Sequence, residues 1–244
     1  MEFHKPKPFH NWREFLKEYA IIVLGVATAL AAEHAVVTLH DRARAAGARA
    51  GIRAEIAYNL GQMEVRNATE GCVTKRLAEV DGLIAAAATG KLPAEPLWIG
   101  RPFTTFFVSS QYKAASDAGN VALLDDREQA AYAFLYSIVD SYPHALAEEQ
   151  KAWADLRSLE KHPLPSPALD AMLRGAVQQA RSERWSIEAQ RQRALTAAAE
   201  IGINPAWSPR YAPASICIAL LTPRDAAEKL VVKGRPGHFV RDEP

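Results

Sequence analysis

Ser110 and Lys113 are the first pair of residues whose types and spacing could support catalysis. They have the S-x-x-K spacing of serine acyl-transferases such as penicillin-binding proteins, in which the serine is the nucleophile. Such a site also needs an S-D-N and a K-T-G element. Ser116-Asp117-Ala118 follows too closely to form a separate loop, and the sequence contains no K-T-G. The motif is incomplete, and we expect no catalytic residue here.

Glu33, His34 and His40 form a second group, because residues seven apart share one face of a helix. A carboxylate and two imidazoles could bind a metal or relay protons. The spacing is not H-E-x-x-H, and no further set of ligands is visible. We therefore expect no metal or other cofactor. Glu33 and His34 are instead predicted to lie at a membrane surface or to meet the same helix in an oligomer.

The two cysteines of the chain are Cys72 and Cys217. In an oxidising compartment they could pair across about 145 residues and stabilise the fold by about 4 to 5 kcal/mol in the chain-entropy account. The alternative is two separate buried thiols. The sequence leaves both open.

Residues 19–39, YAIIVLGVATALAAEHAVVTL, are the element around which the chain is organised. As a helix this segment is about 31 Å long, close to the thickness of a bilayer core. Its nine Ile, Val and Leu residues favour insertion by roughly 4 kcal/mol, against a cost of about 2.5 kcal/mol or less for Glu33. The balance predicts a transmembrane helix, with Trp12, Tyr19, Glu33 and His34 at the membrane interfaces.

Two alternatives to this anchor remain open. Ala29-Leu30-Ala31 resembles the cleavage site of a secretory signal peptide, and cleavage there would give a mature chain that starts near Ala32. The preceding eighteen residues are long and carry acidic side chains, which is unusual for such a peptide. Asn11 and Glu14 also have the spacing of a capping box, which favours a helix that begins before the membrane. The other alternative is a buried helix of a soluble protein.

Three stretches resemble a family of uncharacterised single-pass membrane proteins of Gram-negative bacteria. They are HNWREFLKEYAIIVLGVATALAAEH at the N-terminus, GCVTKRLAEV (71–80) and YKAASDAGNVALLDDREQAAYAFLY (112–136). The likeness covers roughly residues 10–140. It implies an inner-membrane protein with a cytoplasmic N-terminus and a periplasmic domain, but no functional residues, because the family has no agreed activity.

Charge alone does not decide orientation or partner. Lys and Arg total 29 against 28 for Asp and Glu, so we expect no general attraction to nucleic acid. Basic residues flank the apolar segment on both sides, which leaves the positive-inside rule ambiguous. The bilayer is the expected partner, together with another envelope protein or a second copy of the chain.

The fold class is predicted to be mainly α, with one transmembrane helix followed by an irregular helical bundle. The expected divisions are a lead and helix start (1–18), the span (19–39), a helical domain (40–202) and a Pro-rich segment partly packed on it (203–244). Within the domain, residues 41–53 suit an exposed helical stalk, since they lack an apolar stripe.

Several local features of the domain are also predicted. A kink or turn is expected after Asn67, and a strand or buried helix start at 103–108. Asp125-Asp126 should open a helix that Pro143 breaks or kinks. Gly202 should end the helix that starts at Pro167. The arginines Arg181, Arg184, Arg191 and Arg193 are interpreted as a solvated helix face, and the tryptophans Trp98, Trp153, Trp185 and Trp207 as core or lid residues.

These observations favour a membrane-anchored structural or interaction module of the bacterial envelope. An envelope enzyme with a dispersed site is one alternative, and a secreted binding module released near Ala31 is another. An enzyme should show a polar cleft with convergent titratable groups, whereas an interaction module should show an exposed apolar patch.

Overall fold

A computed structural model describes residues 12–91, 98–161, 167–206 and 215–233. This part of the chain is mainly helical and contains no strand. Its α-helices are α1 (Trp12–Asn67), α2 (Glu70–Ala88), α3 (Ser110–Asp117), α4 (Asp126–Leu156), α5 (Pro167–Glu200) and α6 (Arg224–Lys233). Short 3₁₀ turns lie at Val121–Leu123, Arg157–Glu160 and Ser215–Cys217.

The N-terminal part of α1 is long and apolar enough to cross a membrane. Its most apolar window of 18 residues has a mean hydropathy of 2.0, and none of that window is buried against the rest of the protein. The predicted span at 19–39 lies within this helix. By length and composition, a signal sequence near the N-terminus meets the same description.

The predicted stalk at 41–53 is not fully exposed. Ala45 is 8% exposed and Ile52 is fully buried. Arg49 holds Glu128 of α4 through two hydrogen bonds of 2.6 Å, one from its Nε and one from its Nη2. The expectation failed because, before Ile52, the contacts are made by alanine and by the side chain of Arg49, which give no apolar stripe in the sequence.

The break between α1 and α2 is a kink, not a hairpin turn. Glu64 on α1 pairs with Arg191 of α5, and Asp81 on α2 pairs with Arg181 further back along α5. Both helices therefore run antiparallel to α5 and continue in the same direction. Thr69 marks the bend, where its hydroxyl donates to the carbonyl of Arg66 at 2.8 Å.

Helices α4 and α5 form an antiparallel pair beside α1. Asp125 caps α4 by accepting a hydrogen bond of 2.9 Å from the backbone N–H of Glu128, which confirms the predicted start. Pro143 lies inside α4 and does not end it, so the predicted break is wrong, whereas the alternative of a kink stays a prediction. Val139, Tyr142 and Leu146 are buried on either side of it, and their packing holds the helix through the missing hydrogen bond.

Gly202 ends α5 as predicted. Its φ of +67° lies in the left-handed region, and its N–H donates to the carbonyl of Ala199. The N–H of Ile203 reaches back to the carbonyl of Ala198, which completes a Schellman motif. Helix α5 starts at Pro167 as expected, whereas Ser166, its predicted cap, lies outside the described residues.

Two apolar clusters fill the space between the helices. The larger one joins α1, α4 and the C-terminal half of α5 and includes Ile52, Ile56, Leu60, Met63, Tyr132, Leu135, Tyr142, Ile187 and Ala198. The second joins α2, the end of α4 and the start of α5 and includes Val73, Leu77, Val80, Ile84, Trp153, Leu156, Leu173 and Val177. The clusters lie end to end, so the domain is elongated along α1 and α2.

Residues 103–108 form neither a strand nor a helix. The side chain of Asn59 on α1 replaces a neighbouring strand, because its Nδ2 donates to the carbonyl of Val108 at 2.7 Å and its Oδ1 accepts from the N–H of Val108 at 3.0 Å. The aromatic and β-branched composition was misleading here because Phe107 packs on the core as part of an irregular segment.

Candidate functional site

Ser110, from the S-x-x-K motif, lies in the first turn of α3 with a structural partner. Its hydroxyl donates to a carboxylate oxygen of Glu55 at 3.0 Å rather than to Lys113, whose side chain is exposed. A serine bound to a carboxylate and apart from the lysine lacks the arrangement that an S-x-x-K nucleophile requires.

Glu55 is the centre of this buried polar cluster. Its carboxylate accepts from the backbone N–H groups of Gln111 and Tyr112 at 2.9 and 3.2 Å, so a side chain of α1 caps α3. The hydroxyl of Tyr136 donates to it at 2.5 Å. Burial by itself would raise the pKa of Glu55, but these hydrogen bonds outweigh it and hold the pKa below its ordinary value.

The kink between α1 and α2 encloses an ion pair. Arg66 Nη2 and Glu149 Oε1 are 2.5 Å apart, and neither side chain is exposed beyond 1%. Burial raises the pKa of Glu149 even though the charge of Arg66 opposes the shift. Arg66 also donates to the hydroxyl of Thr69 at 3.3 Å. The arrangement fixes the kink against α4.

The cysteines lie where α2 meets the C-terminal segment. Cys72 and Cys217 form a disulfide with their Cα atoms 5.0 Å apart. One turn along α2, the buried guanidinium of Arg76 donates to the carbonyls of Trp98, Ile99 and Ile218. Burial lowers the pKa of Arg76. A covalent bond and a buried cation thus hold the C-terminal segment on α2.

The predicted interface residues all lie exposed on α1. Trp12 is 70% exposed and Tyr19 58%, and both rings stack near Phe15, with centroids 5.6 and 6.2 Å away. Glu33 and His34 are exposed on the far part of the apolar segment. The structure brings neither of them to the domain. Across the described residues, no group of three or more His, Cys, Asp or Glu is arranged to hold a metal ion.

An open groove lies between the first half of α4 and the last half of α5. Its volume is about 580 Å³. The floor is mostly apolar, and Phe134, which is 47% exposed, forms one wall. The complete lining is Arg127, Ala130, Ala131, Phe134, Gln192, Arg193, Thr196, Ala197, Glu200 and Ile201.

The rim of the groove carries the cations Arg127 and Arg193 and the carboxylate of Glu200, which leaves a net positive charge. Arg193 makes no hydrogen bond or ion pair with any described residue, and Arg127 donates only to the backbone carbonyl of Glu200 at 3.3 Å. Most other arginines of the domain are paired with carboxylates, as Arg191 is with Glu188 and Glu64. An apolar floor below guanidinium groups without carboxylate partners fits an apolar, acidic ligand.

Sequence reasoning missed most of this surface. The interpretation of the α5 arginines as a solvated face was wrong for Arg191, which is 8% exposed and joins α5 to α1. The tryptophans were expected to be core or lid residues. Trp98 and Trp153 are buried in the core, Trp185 is 72% exposed and is not a core residue, and Trp207 lies outside the described residues. Comparison of the chain with protein-family models, curated proteins and solved structures finds no match.

Proposed function

We propose that the chain is a single-pass membrane-anchored interaction module, with the N-terminal part of α1 in the inner membrane and the other helices packed as a bundle in the periplasm. The exposed apolar helix and the resemblance of residues 10–140 to single-pass envelope proteins support this placement. The disulfide between Cys72 and Cys217 suits an oxidising compartment.

The groove between α4 and α5 is the single observation that carries the interaction role. It combines an open apolar floor, the exposed ring of Phe134 and the unpaired guanidinium of Arg193. Aromatic and arginine side chains of this kind are typical anchor residues of protein interfaces. The occupant we propose is a segment of another envelope protein that carries apolar and acidic side chains.

The distance of the groove from the membrane fits a partner that is anchored in the same membrane. Arg53 on α1 donates to the carbonyls of Ile201 and Gly202, at the end of α5 that lines the groove. Arg53 is fourteen residues beyond Leu39, which corresponds to about 21 Å along the helix axis. In the proposed placement this end of the groove therefore lies about 21 Å from the apolar segment, within reach of a partner anchored in the same membrane.

Site-specific crosslinking in intact cells tests this role. A photoreactive benzoylphenylalanine at position 134 should give one crosslinked product, and a second substitution, Arg193→Glu, should abolish it. The same probe at Phe106, which is 83% exposed and outside the groove, is the matched control. Equal products from both positions, or no product at 134, would overturn the proposal.

The mass of the product identifies the occupant. A product of about twice the chain mass of 26.7 kDa would mean that a second copy occupies the groove, which would contradict the proposed partner. A single product of another mass, sensitive to Arg193→Glu, supports it.

A further inference from the structure

A second concavity lies between α1 and the 3₁₀ turn Val121–Leu123, at the membrane end of the domain. It has a volume of about 400 Å³. Leu123 forms the domain side, and the remaining lining comes from a short stretch of α1: Thr38, Asp41, Arg42, Ala45 and Arg49. Thr38 belongs to the predicted span at 19–39, so this cavity begins where the span ends.

The depth of the cavity matches the lipid headgroup layer. Arg42 follows Leu39 by three residues, which places its Cα about 4.5 Å beyond the apolar segment. The polar layer on each side of a bilayer core is roughly 5 to 8 Å thick. Arg42 and Leu123 therefore lie at the level of phosphates and glycerol groups.

The charges that line the cavity leave one cation available. Asp41 pairs with Arg44 at 2.5 Å, and Arg49 pairs with Glu128 at 2.6 Å. Arg42 is exposed and makes no hydrogen bond or ion pair with any residue that the structure describes. A guanidinium presents donors in a planar fork that matches a phosphate group.

The side of the cavity that is formed by the domain is apolar and is held in position by packing and hydrogen bonds. Leu123 is 37% exposed, whereas its neighbour Leu124 is buried in the core at 5% exposure. Asp125 then caps α4, whose Glu128 is held by Arg49 on α1. The turn is thus fixed against α1, and Leu123 presents a methyl surface beside the cation.

We infer that this cavity binds the headgroup of an anionic phospholipid, with Arg42 on the phosphate and Leu123 against the glycerol and upper acyl region. The inference rests on the proposed membrane anchor, and it adds a specific lipid site to it. It also gives the domain a second contact with the membrane beside α1.

Native mass spectrometry of the full chain released from lipid nanodiscs tests the inference. The nanodiscs contain phosphatidylcholine and phosphatidylglycerol in equal amounts. We expect the released wild-type protein to retain phosphatidylglycerol, and Arg42→Gln to lower the retained ratio of phosphatidylglycerol to phosphatidylcholine by about tenfold, as expected for the loss of one hydrogen bond between charged groups in a specific site. Leu123→Ser should lower the same ratio.

Two control variants distinguish a specific lipid site from a general attraction of anionic lipids to basic side chains. Arg13→Gln removes an exposed cation at the other end of the apolar segment, and Arg101→Gln removes one from the exposed surface of the domain. Both should leave the ratio unchanged. An equal loss for Arg13→Gln, or no effect of Leu123→Ser, would show that the attraction is general and would overturn the inference.

The same experiment separates this inference from the anchor. If the chain does not co-purify with nanodiscs, the anchor itself fails. If it co-purifies but shows no loss with Arg42→Gln, only the lipid site fails. Added inorganic phosphate should not displace the lipid, and full displacement at millimolar concentration would mean that the cavity takes a free anion instead.

Discussion

Arg66 and Glu149 form an ion pair of 2.5 Å that is closed to solvent, directly beneath the kink that joins α1 to α2. Removing one partner leaves a buried charge without compensation, which typically costs 3 to 5 kcal/mol. We therefore expect Arg66→Met to lower the free energy of unfolding by about that amount. Urea unfolding of the full chain in detergent micelles, followed by tryptophan fluorescence, to which the buried Trp153 contributes, measures it.

A double variant and a surface pair make this test specific. Arg66→Met with Glu149→Leu removes both charges and should recover most of the loss, since an apolar pair of similar volume often replaces a buried ion pair well. Arg44→Met breaks an exposed pair with Asp41 and should cost less than about 1 kcal/mol. A similar cost for both single variants would contradict the account.

The disulfide between Cys72 and Cys217 should be the strongest single link to the C-terminal segment. Its sequence separation is 145 residues, for which the chain-entropy account predicts about 4 to 5 kcal/mol. Reduction of the wild type should lower the free energy of unfolding to that of the Cys72→Ser, Cys217→Ser double variant, which reductant should not change. Alkylation followed by mass measurement should find reactive thiols only after reduction, and thiols that react beforehand would refute the link.

Gly100 should be intolerant of a side chain for two reasons. Its φ of +69° disfavours any residue with a Cβ, and a Cβ there would lie 2.5 Å from the carbonyl oxygen of Ser215. Gly119 has a φ of +70° with open space around it, so Gly119→Ala reports the backbone cost alone. We expect Gly100→Ala to lower the melting temperature clearly more than Gly119→Ala. Equal shifts would mean that the contact with Ser215 contributes nothing.

Glu55 should make the stability depend on pH in the acid range. Its pKa in the folded state is below the ordinary 4.5, so the carboxylate stabilises the fold fully above that pH, and its contribution is lost as the pH falls through the folded pKa. Glu55→Gln should cost about 1 to 3 kcal/mol at neutral pH, because the amide cannot accept all the hydrogen bonds.

The pH series compares this variant with the wild type. The difference in free energy of unfolding should be constant above about pH 5.5 and shrink as the pH falls below the ordinary value of 4.5. Asp140→Asn, an exposed position on α4, is the control and should show little difference at any pH. A difference that stays constant down to pH 3 would contradict the role given to Glu55.

The sequence predicts the helical class and most helix ends because these depend on local chemistry. The cap at Asp125 and the glycine at Gly202 act within a few residues of their own position, and the apolar helix at 19–39 needs only length and composition. The buried pair of Arg66 and Glu149 joins residues 83 apart and has no local pattern. The pair could be predicted from the sequence only if α1 and α4 were already known to lie side by side.

The groove between α4 and α5 and the cavity beside Arg42 also have no local sequence pattern that would predict them. Phe134 and Arg193 come together only because α4 and α5 are antiparallel, and Leu123 reaches Thr38 only through the packing of α4 on α1. At Pro143 a local pattern predicted a break that does not occur, because the burial of Tyr142 keeps the proline inside α4. Tertiary packing decided each of these positions.

The membrane anchor is the central claim, and the mass of the protein in washed membranes tests it most directly. Membranes from expressing cells are washed at alkaline pH, and the intact mass of the chain is measured in the pellet and in the supernatant. The account predicts the full-length chain of 26.7 kDa in the pellet. A soluble form that lacks the residues before Ala32 would contradict it and would identify the apolar helix as a cleaved signal sequence.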